Sequence, residues 1–264
     1  MRSKAIYLTR EELKRYNRQM MLEGWGKEGQ KKLKSACVFV AGAGGLGSPV
    51  TIYLTVAGVG KIRLCDFDTA ELSNLNRQIL HHDARLGENK ALSAKKTLKI
   101  LNPSVEIEEF PVKITEENVD GLVGESQIMV DGLDNFPTRF VLNACAIRKA
   151  IPFIYASIWG LIGYMTFIHV PSTPCLACIF SEAPPPEVFP VVGVTPGVMG
   201  CLQATEVLKF LTGLGENLKN KLLIWDGLKM KFRTSNISQD KNCRVCAKNN
   251  VLLKGISPRF IFDS

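Results

Sequence analysis

Gly42-Ala43-Gly44-Gly45-Leu46-Gly47 spaces its glycines as Gly-x-Gly-x-x-Gly, the pattern of a backbone that turns sharply under a phosphate. Gly42 permits the turn, Gly44 lets a phosphate approach the main chain, and Gly47 lets the following helix pack closely on the preceding strand. The context fits. Apolar residues Cys37 to Ala41 before the turn read as a fully buried parallel strand. Val50, Leu54, Ala57 and Gly58 follow at helical spacing. The helix N-terminus would then meet the phosphates with free N–H groups and a partial positive charge. The turn specifies a nucleotide, but neither which one nor what is done to it.

Other residues narrow the chemistry. Lys61 to Asp68 reads as a second strand ending in two acids, Asp66 and Asp68. Asp66 follows Gly47 by about 20 residues, where a dinucleotide fold places a carboxylate for ribose hydroxyls; capping of the next turn is the alternative for both acids. Ser73-Asn74-Leu75-Asn76-Arg77-Gln78 is too rich in hydrogen-bonding groups for a core segment. Asp134 and Asn135 follow a strand predicted over Gln127–Asp131, beyond a carboxyl end, where open α/β sheets bind ligands. Cys175-x-x-Cys178 and Cys243-x-x-Cys246 supply four thiolates on turns, the tetrahedral set of structural Zn²⁺. Their separation in sequence means the ion would join two distant segments, and a closed four-thiolate site leaves no position for a substrate. A redox role would need a separate explanation for each pair.

These residues have to be positioned by alternating strands and helices. Thr9 with Glu12 makes a capping pattern for a helix to Leu22 that carries Arg15-Tyr16-Asn17-Arg18-Gln19, and Gly26–Ser35 reads as a second helix. Gly87-Glu88-Asn89-Lys90 opens a helix reaching about Leu101, stopped by Asn102-Pro103. Strands are predicted at Val105–Pro111 and Pro152–Ser157, with a helix running to Ala150 between the strand at Gln127–Asp131 and the latter. The fold class is therefore α/β, a Rossmann-like doubly wound sheet, mainly parallel. From Ile158 the pattern changes. A strand at Gly163–Val170, a proline-rich crossover through Ala183-Pro184-Pro185-Pro186 and Phe189–Pro196, and a helix at Gly197–Thr212 are expected. That helix would bury Val198, Leu202, Thr205, Val207, Leu208 and Leu211. Leu222–Trp225 and Met230–Thr234 form an antiparallel hairpin around Asp226-Gly227. The chain reads as one domain over 1–247, with an N-terminal helical segment 1–35, the zinc knuckle at its close, and a tail over 248–264.

At 264 residues, 46% hydrophobic and 22% charged, the composition is that of a soluble globular protein. No membrane span is read, and the charged stretch Met1–Arg18 is not a secretory signal, so a cytoplasmic location is expected. The +8 net charge is scattered along the chain, which suits a solvated basic surface or an acidic protein partner better than nucleic acid. Eight cysteines without a signal argue against disulfides; Cys37, Cys65, Cys145 and Cys201 are expected to be small core residues.

Taken together, the Arg15-Tyr16-x-Arg18-Gln19 helix, the Gly42 to Ser48 turn and Asp66-Phe-Asp68 resemble the ThiF/MoeB/HesA family, relatives of ubiquitin-activating enzymes. Ser73-Asn-Leu-x-Arg77-Gln78, Lys90, Asp131-Gly-Leu-Asp134-Asn135 and the cysteine pairs match it as well. The resemblance covers Leu8 to Cys246. It implies ATP as cofactor and adenylation of the C-terminal glycine carboxylate of a ubiquitin-like sulfur carrier, with release of pyrophosphate. It also implies a homodimer in which the N-terminal helix reaches the other subunit's site. By resemblance, Gly42, Gly44, Gly45, Leu46 and Gly47 hold the triphosphate, and Asp66, with Asp68 beside it, the ribose. Arg77 and Lys90 act on the α-phosphate and the departing pyrophosphate. Ser73, Asn74, Asn76 and Asn135 complete the nucleotide site, Asp134 holds Mg²⁺, and Arg18 of the partner subunit acts as an arginine finger.

One departure bears on mechanism. ThiF-type members carry a reactive cysteine in the crossover, whereas Ile179–Gly200 contains none. Adenylation without a covalent enzyme–carrier link is expected, with sulfur from a separate donor. Phe180, Val188, Phe189 and Val191 are candidates for holding the carrier's tail or for contacting a second subunit. The same chemistry on a small-molecule or peptide carboxylate is the first alternative, and an NAD-dependent oxidoreductase using the glycine turn is the second.

Overall fold

The computed structural model describes residues 6–183 and 189–247. The tail from Lys248, the proline run at 184–186 and Val188 lie outside them. In chain order the elements are α1 (Arg10–Arg15), α2 (Asn17–Met20), α3 (Gly26–Ser35), β1 (Cys37–Ala41), α4 (Gly47–Ala57), β2 (Lys61–Cys65), α5 (Lys90–Leu101), β3 (Glu106–Phe110) and α6 (Val119–Val123). They continue with β4 (Ile128–Asp131), α7 (Phe136–Lys149), β5 (Phe153–Trp159), β6 (Ile162–Ile168), α8 (Leu176–Ile179), α9 (Val194–Thr212), β7 (Lys221–Asp226) and β8 (Lys231–Asn236).

The strands form one eight-stranded sheet in the order β3-β2-β1-β4-β5-β6-β7-β8. β1 to β5 run parallel and β6 to β8 extend the sheet antiparallel. Alternation along β1 shows why this strand is central: Val38 and Val40 join one hydrophobic layer, Phe39 and Ala41 the other. A strand buried on both faces needs apolar residues at every position, which is what its sequence supplies. The first layer takes its helical residues from α3, α4, α5 and α9, the second from α6, α7 and α8. Strand order reverses between β1 and β4, so their carboxyl ends open a crevice where both adjacent connections depart in opposite directions.

Several boundaries differ from expectation for physical reasons. The first helix is interrupted at Tyr16, whose φ of −98° and ψ of 10° leave the helical region. Tyr16 is buried and its hydroxyl accepts from Asn102 Nδ2 at 2.8 Å, so tertiary contact outweighs continuity of the helix. The capping box at its start is present, with Glu12 N donating to Thr9 Oγ1 and Thr9 N to Glu12 Oε2. α9 starts three residues early, at Val194; Val207 is buried and Val198, Leu202, Leu208 and Leu211 pack against the core as expected, Met199, Gly200, Gln203 and Ala204 are buried beside them on the inward face, and Thr205 is exposed. Small residues occur on that face because α9 lies tightly on α4: a β-carbon at Gly200 would stand 2.4 Å from Pro49 Cγ. The short helix α6 was not anticipated; five residues hold too little periodicity to read. Of the four unpaired cysteines, Cys65 and Cys145 are buried, but Cys37 and Cys201 are only half-buried.

Candidate active site

The crevice is a cleft of about 1230 Å³. Its near wall is the glycine turn. Gly42 has φ +95°, and a β-carbon there would lie 2.6 Å from the Gly132 carbonyl oxygen, so the two loops leaving β1 and β4 touch through backbone alone. At Gly47 a β-carbon would lie 1.9 Å from the Gly42 carbonyl oxygen. These two glycines thus serve packing, and Gly42, Gly44, Gly45 and Leu46 line the cleft while Gly47 does not. α4 begins here without a side-chain cap; Ser48 N donates to Gly44 O and Val50 N to Leu46 O, and Pro49 has no N–H, so the N–H groups left to a ligand are those of the turn at Gly44, Gly45 and Leu46.

Asp66 lies at the end of β2 and faces the turn. One carboxylate oxygen accepts from Ala43 N at 2.7 Å and the other from Asp68 N at 2.9 Å. Burial raises its pKa against those two hydrogen bonds and the nearby Lys90. Each oxygen retains acceptor capacity for hydroxyl groups. Asn89 caps α5, accepting from Ala91 N and Leu92 N, and its amide donates to the carbonyls of Asp66 and Asp68. That places Lys90 at the first position of α5, where its ammonium donates to Asp68 Oδ2 at 3.1 Å and stays largely buried on the cleft wall.

Arg77 reaches the cleft from the segment after a 3₁₀ turn at Leu72–Asn74. Its guanidinium donates to Ser73 O and Asn76 Oδ1, each at 2.9 Å. Asn74 is buried and accepts from Glu71 N. Ser73, Asn74 and Asn76 are absent from the cleft wall; they shape the turn that presents Arg77. Across the cleft, Asp134 and Asn135 lie beyond β4. Asn135 caps α7, accepting from Thr138 N at 3.1 Å. Asp134 is exposed to the cleft and makes no hydrogen bond or ion pair among the described residues that would compete for its oxygens. Arg18 is exposed on α2, away from this chain's own cleft.

Three cleft-associated groups were not singled out from sequence. His81 is buried beneath the turn. A carbonyl can only accept, so Nε2–H donates to Ala43 O at 3.0 Å and Nδ1 accepts from the Ser93 hydroxyl at 2.9 Å. Burial holds the imidazole below its ordinary pKa. Gln78, within the motif segment, lines the cleft with a buried Oε1 that has no hydrogen-bond partner among the described residues. Arg139 pairs with Asp131 at 2.8 Å, both buried. No local sequence signal marks His81 or Arg139 as functional. The far wall carries Tyr155, Ser157, Trp159, Tyr164, Phe180 and Phe189, with Trp159 stacked on Phe189 at 6.1 Å.

The four knuckle cysteines meet away from the cleft, their sulfurs all within 4.8 Å of one another. Sγ separations are 3.9 Å for Cys175–Cys178, 3.7 Å for Cys175–Cys243 and 3.4 Å for Cys178–Cys246. A tetrahedron with zinc–sulfur bonds near 2.3 Å requires sulfurs about 3.8 Å apart, so the set fits that ion.

A doubly wound sheet with a phosphate turn, two cations and an unpaired carboxylate around one cleft defines a nucleotide-dependent group-transfer enzyme. The chain belongs to the ThiF family, whose model matches residues 16–245. It is 43% identical over 249 residues to a sulfur carrier protein adenylyltransferase of Thermus thermophilus, covering 90% of this chain and 92% of that one. It is 40% identical over 253 residues to a SAMP-activating enzyme E1 of Haloferax volcanii, covering 94% and 93%. Among solved structures it resembles E. coli MccB with AMPCPP and MccA, with a TM-score of 0.78 and 27% identity over 88% of this chain and 74% of that chain. The chain is an adenylyltransferase. No described helix is long and apolar enough to cross a membrane.

Proposed function

We propose that this protein uses ATP to adenylate the C-terminal glycine carboxylate of a small ubiquitin-like sulfur carrier, releasing pyrophosphate. The observation that carries the reading is one cleft bearing the glycine turn, Asp66, Arg77, Lys90 and Asp134 at one end and an aromatic wall at the other. Its volume exceeds the roughly 300–1000 Å³ of a typical small-ligand pocket, which leaves room for a peptide tail beside the nucleotide. The chain's match to a sulfur carrier protein adenylyltransferase supplies the substrate class.

In this reading the carrier's carboxylate oxygen attacks the α-phosphorus, and the bond from that phosphorus to the β-bridging oxygen breaks. The enzyme needs no nucleophile of its own. It needs two substrates in line and positive potential where charge develops. Backbone N–H groups of the turn at Gly44, Gly45 and Leu46 hold the triphosphate, Asp66 orients the ribose, and Arg77 and Lys90 stabilise the α-phosphate and the departing pyrophosphate. Asp134 would hold magnesium, a hard cation suited to a free carboxylate, which when bound neutralises phosphate charge. Arg18, exposed on α2, serves the partner copy of a homodimer.

Cys175, Cys178, Cys243 and Cys246 hold zinc, which ties the α8 turn to the segment after β8. Burial pushes the Cys201 thiol up, the opposite of what activates a nucleophile, so sulfur comes from a separate donor protein. Labelled pyrophosphate should exchange into ATP when a carrier ending in Gly-Gly is present. A carrier lacking its last glycine that supports equal exchange would count against the reading. A second reading, the same chemistry on a peptide carboxylate, has support in the match to MccB held with MccA; a peptide panel in the same assay separates the two.

A further inference from the structure

Arg139 is the most heavily engaged cation of the cleft wall, and none of the roles above uses it. Its Nε donates to Asp131 Oδ2 at 2.8 Å, and one terminal nitrogen donates to Leu133 O at 2.6 Å and to Ala156 O at 3.0 Å. The guanidinium carbon lies 5.0 Å from the ring centre of Phe136 and 5.2 Å from that of Tyr155. Asp131 in turn accepts from Leu133 N at 2.9 Å. The side chains of this pair are 4% and 0% exposed.

Both main-chain polar groups of Leu133 are therefore held by one buried ion pair, and Leu133 immediately precedes Asp134. The pair also ties the carboxyl end of β4, at Asp131, to the middle of β5, because Ala156 O belongs to β5. A buried ion pair is weak as a stabilising device, since desolvation offsets most of its attraction. Its geometric consequence is specific: the loop from Gly132 to Asn135 has a fixed course over the glycine turn, which it touches at Gly42. The planar fork makes three directed hydrogen bonds between two aromatic faces, an arrangement that an ammonium cannot copy.

We propose that Arg139 is a positioning residue for the transfer reaction, acting through Leu133 to hold the Asp134 carboxylate where it meets the metal-bound nucleotide. The inference rests on the proposed role of Asp134. The Arg139 donors are directed at Asp131, Leu133 and Ala156, so its loss should weaken the metal-dependent part of nucleotide binding and leave the rest.

The test is calorimetric titration of ATP, with magnesium and with EDTA, into wild type, Arg139→Lys, Asp134→Ala and the double variant. Melting temperatures are recorded alongside. Arg139→Lys retains a charge for Asp131 but loses the fork. It should lower ATP affinity about tenfold with magnesium, as loss of a residue behind a metal ligand commonly does, and less than about twofold without it. In the Asp134→Ala background the same change should have no further magnesium-dependent effect, the signature of two residues acting as one unit. Equal losses with and without magnesium, or equal losses in both backgrounds, would overturn the inference and leave Arg139 a purely structural residue. Wild-type behaviour of Asp134→Ala would remove the reading of Asp134 itself. Should Arg139→Lys fail to fold, Asp131→Asn keeps shape while loosening the same clamp and should shift the magnesium-dependent affinity alone.

Discussion

Two alanine substitutions three residues apart should have opposite consequences. In Gly47→Ala the new methyl carbon would stand 1.9 Å from the Gly42 carbonyl oxygen and 2.8 Å from its carbon. Gly42 cannot yield, because its N–H donates to Cys65 O at 2.8 Å and the loop beyond it is tied to Asp66 and His81. With an ordinary carbon–oxygen contact near 3.3 Å, α4 must withdraw from the turn by more than about 1 Å. Overpacking of this kind costs about 1–3 kcal/mol, a fall of about 2–10 °C in melting temperature for a chain this long. The phosphate-facing N–H groups move with the helix, and a misplacement of about 1 Å lowers the transfer rate about 100-fold. In Gly44→Ala the methyl meets only the Gln78 amide, at 3.6 and 3.9 Å, so the fold tolerates it. There the methyl occupies the phosphate's approach, and ATP affinity should drop at least about tenfold, or about 1.4 kcal/mol, at an unchanged melting temperature. Thermal melting and ATP calorimetry on both variants decide the matter. Wild-type melting for Gly47→Ala, or wild-type affinity for Gly44→Ala, would refute the division of labour between packing and ligand glycines.

Other outcomes follow from the same geometry. Asp134→Ala should abolish pyrophosphate exchange with zinc content and melting unchanged; retained exchange would exclude it from the reaction. Cys178→Ser should remove most of the bound zinc by elemental analysis and lower the melting temperature, and full zinc retention would contradict the four-thiolate set. Burial depresses the pKa of His81, so the unfolded chain takes up the proton first as pH falls through about 6.5. The stability this neutral ring contributes is full above that pH and lost below it. Urea unfolding should show the gap between wild type and His81→Gln narrowing toward acid; a constant gap would count against this. If Arg18 serves the opposite site, mixing inactive Arg18→Ala with inactive Asp134→Ala should restore about a quarter of wild-type activity through mixed dimers, and no recovery would place it elsewhere.

Much of this was legible because the signals are local. Asn102-Pro103 marked the end of α5, Thr9 and Glu12 the start of α1, and buried strands announced themselves as continuous apolar runs. Asp66, Lys90 and Asp134 sit at ends of elements, where sequence order translates directly into position. What the sequence hid depends on contacts between distant segments. The interruption at Tyr16 is caused by Asn102, far along the chain. The expected apolar residues of α9 other than Thr205 do pack on the core, but Gly200 and Ala204 also belong to the buried face because α4 approaches closely there, which periodicity alone does not reveal. His81 gains its meaning only from lying beneath Ala43, and Arg139 only from the loop it grips. Ser73, Asn74 and Asn76 belong to the motif that carries Arg77, but a motif does not say which of its polar groups face the ligand. In this structure they hold the turn.

The account depends most on where AMP goes. Incubating the protein with ATP, magnesium, pyrophosphatase and a ubiquitin-like carrier ending in Gly-Gly, then measuring the intact carrier mass, tests that directly. The account predicts a carrier heavier by one AMP at its C-terminal carboxylate, with two phosphates formed per carrier adenylated, from hydrolysis of the released pyrophosphate. An unmodified carrier beside ATP converted to ADP and phosphate would contradict it.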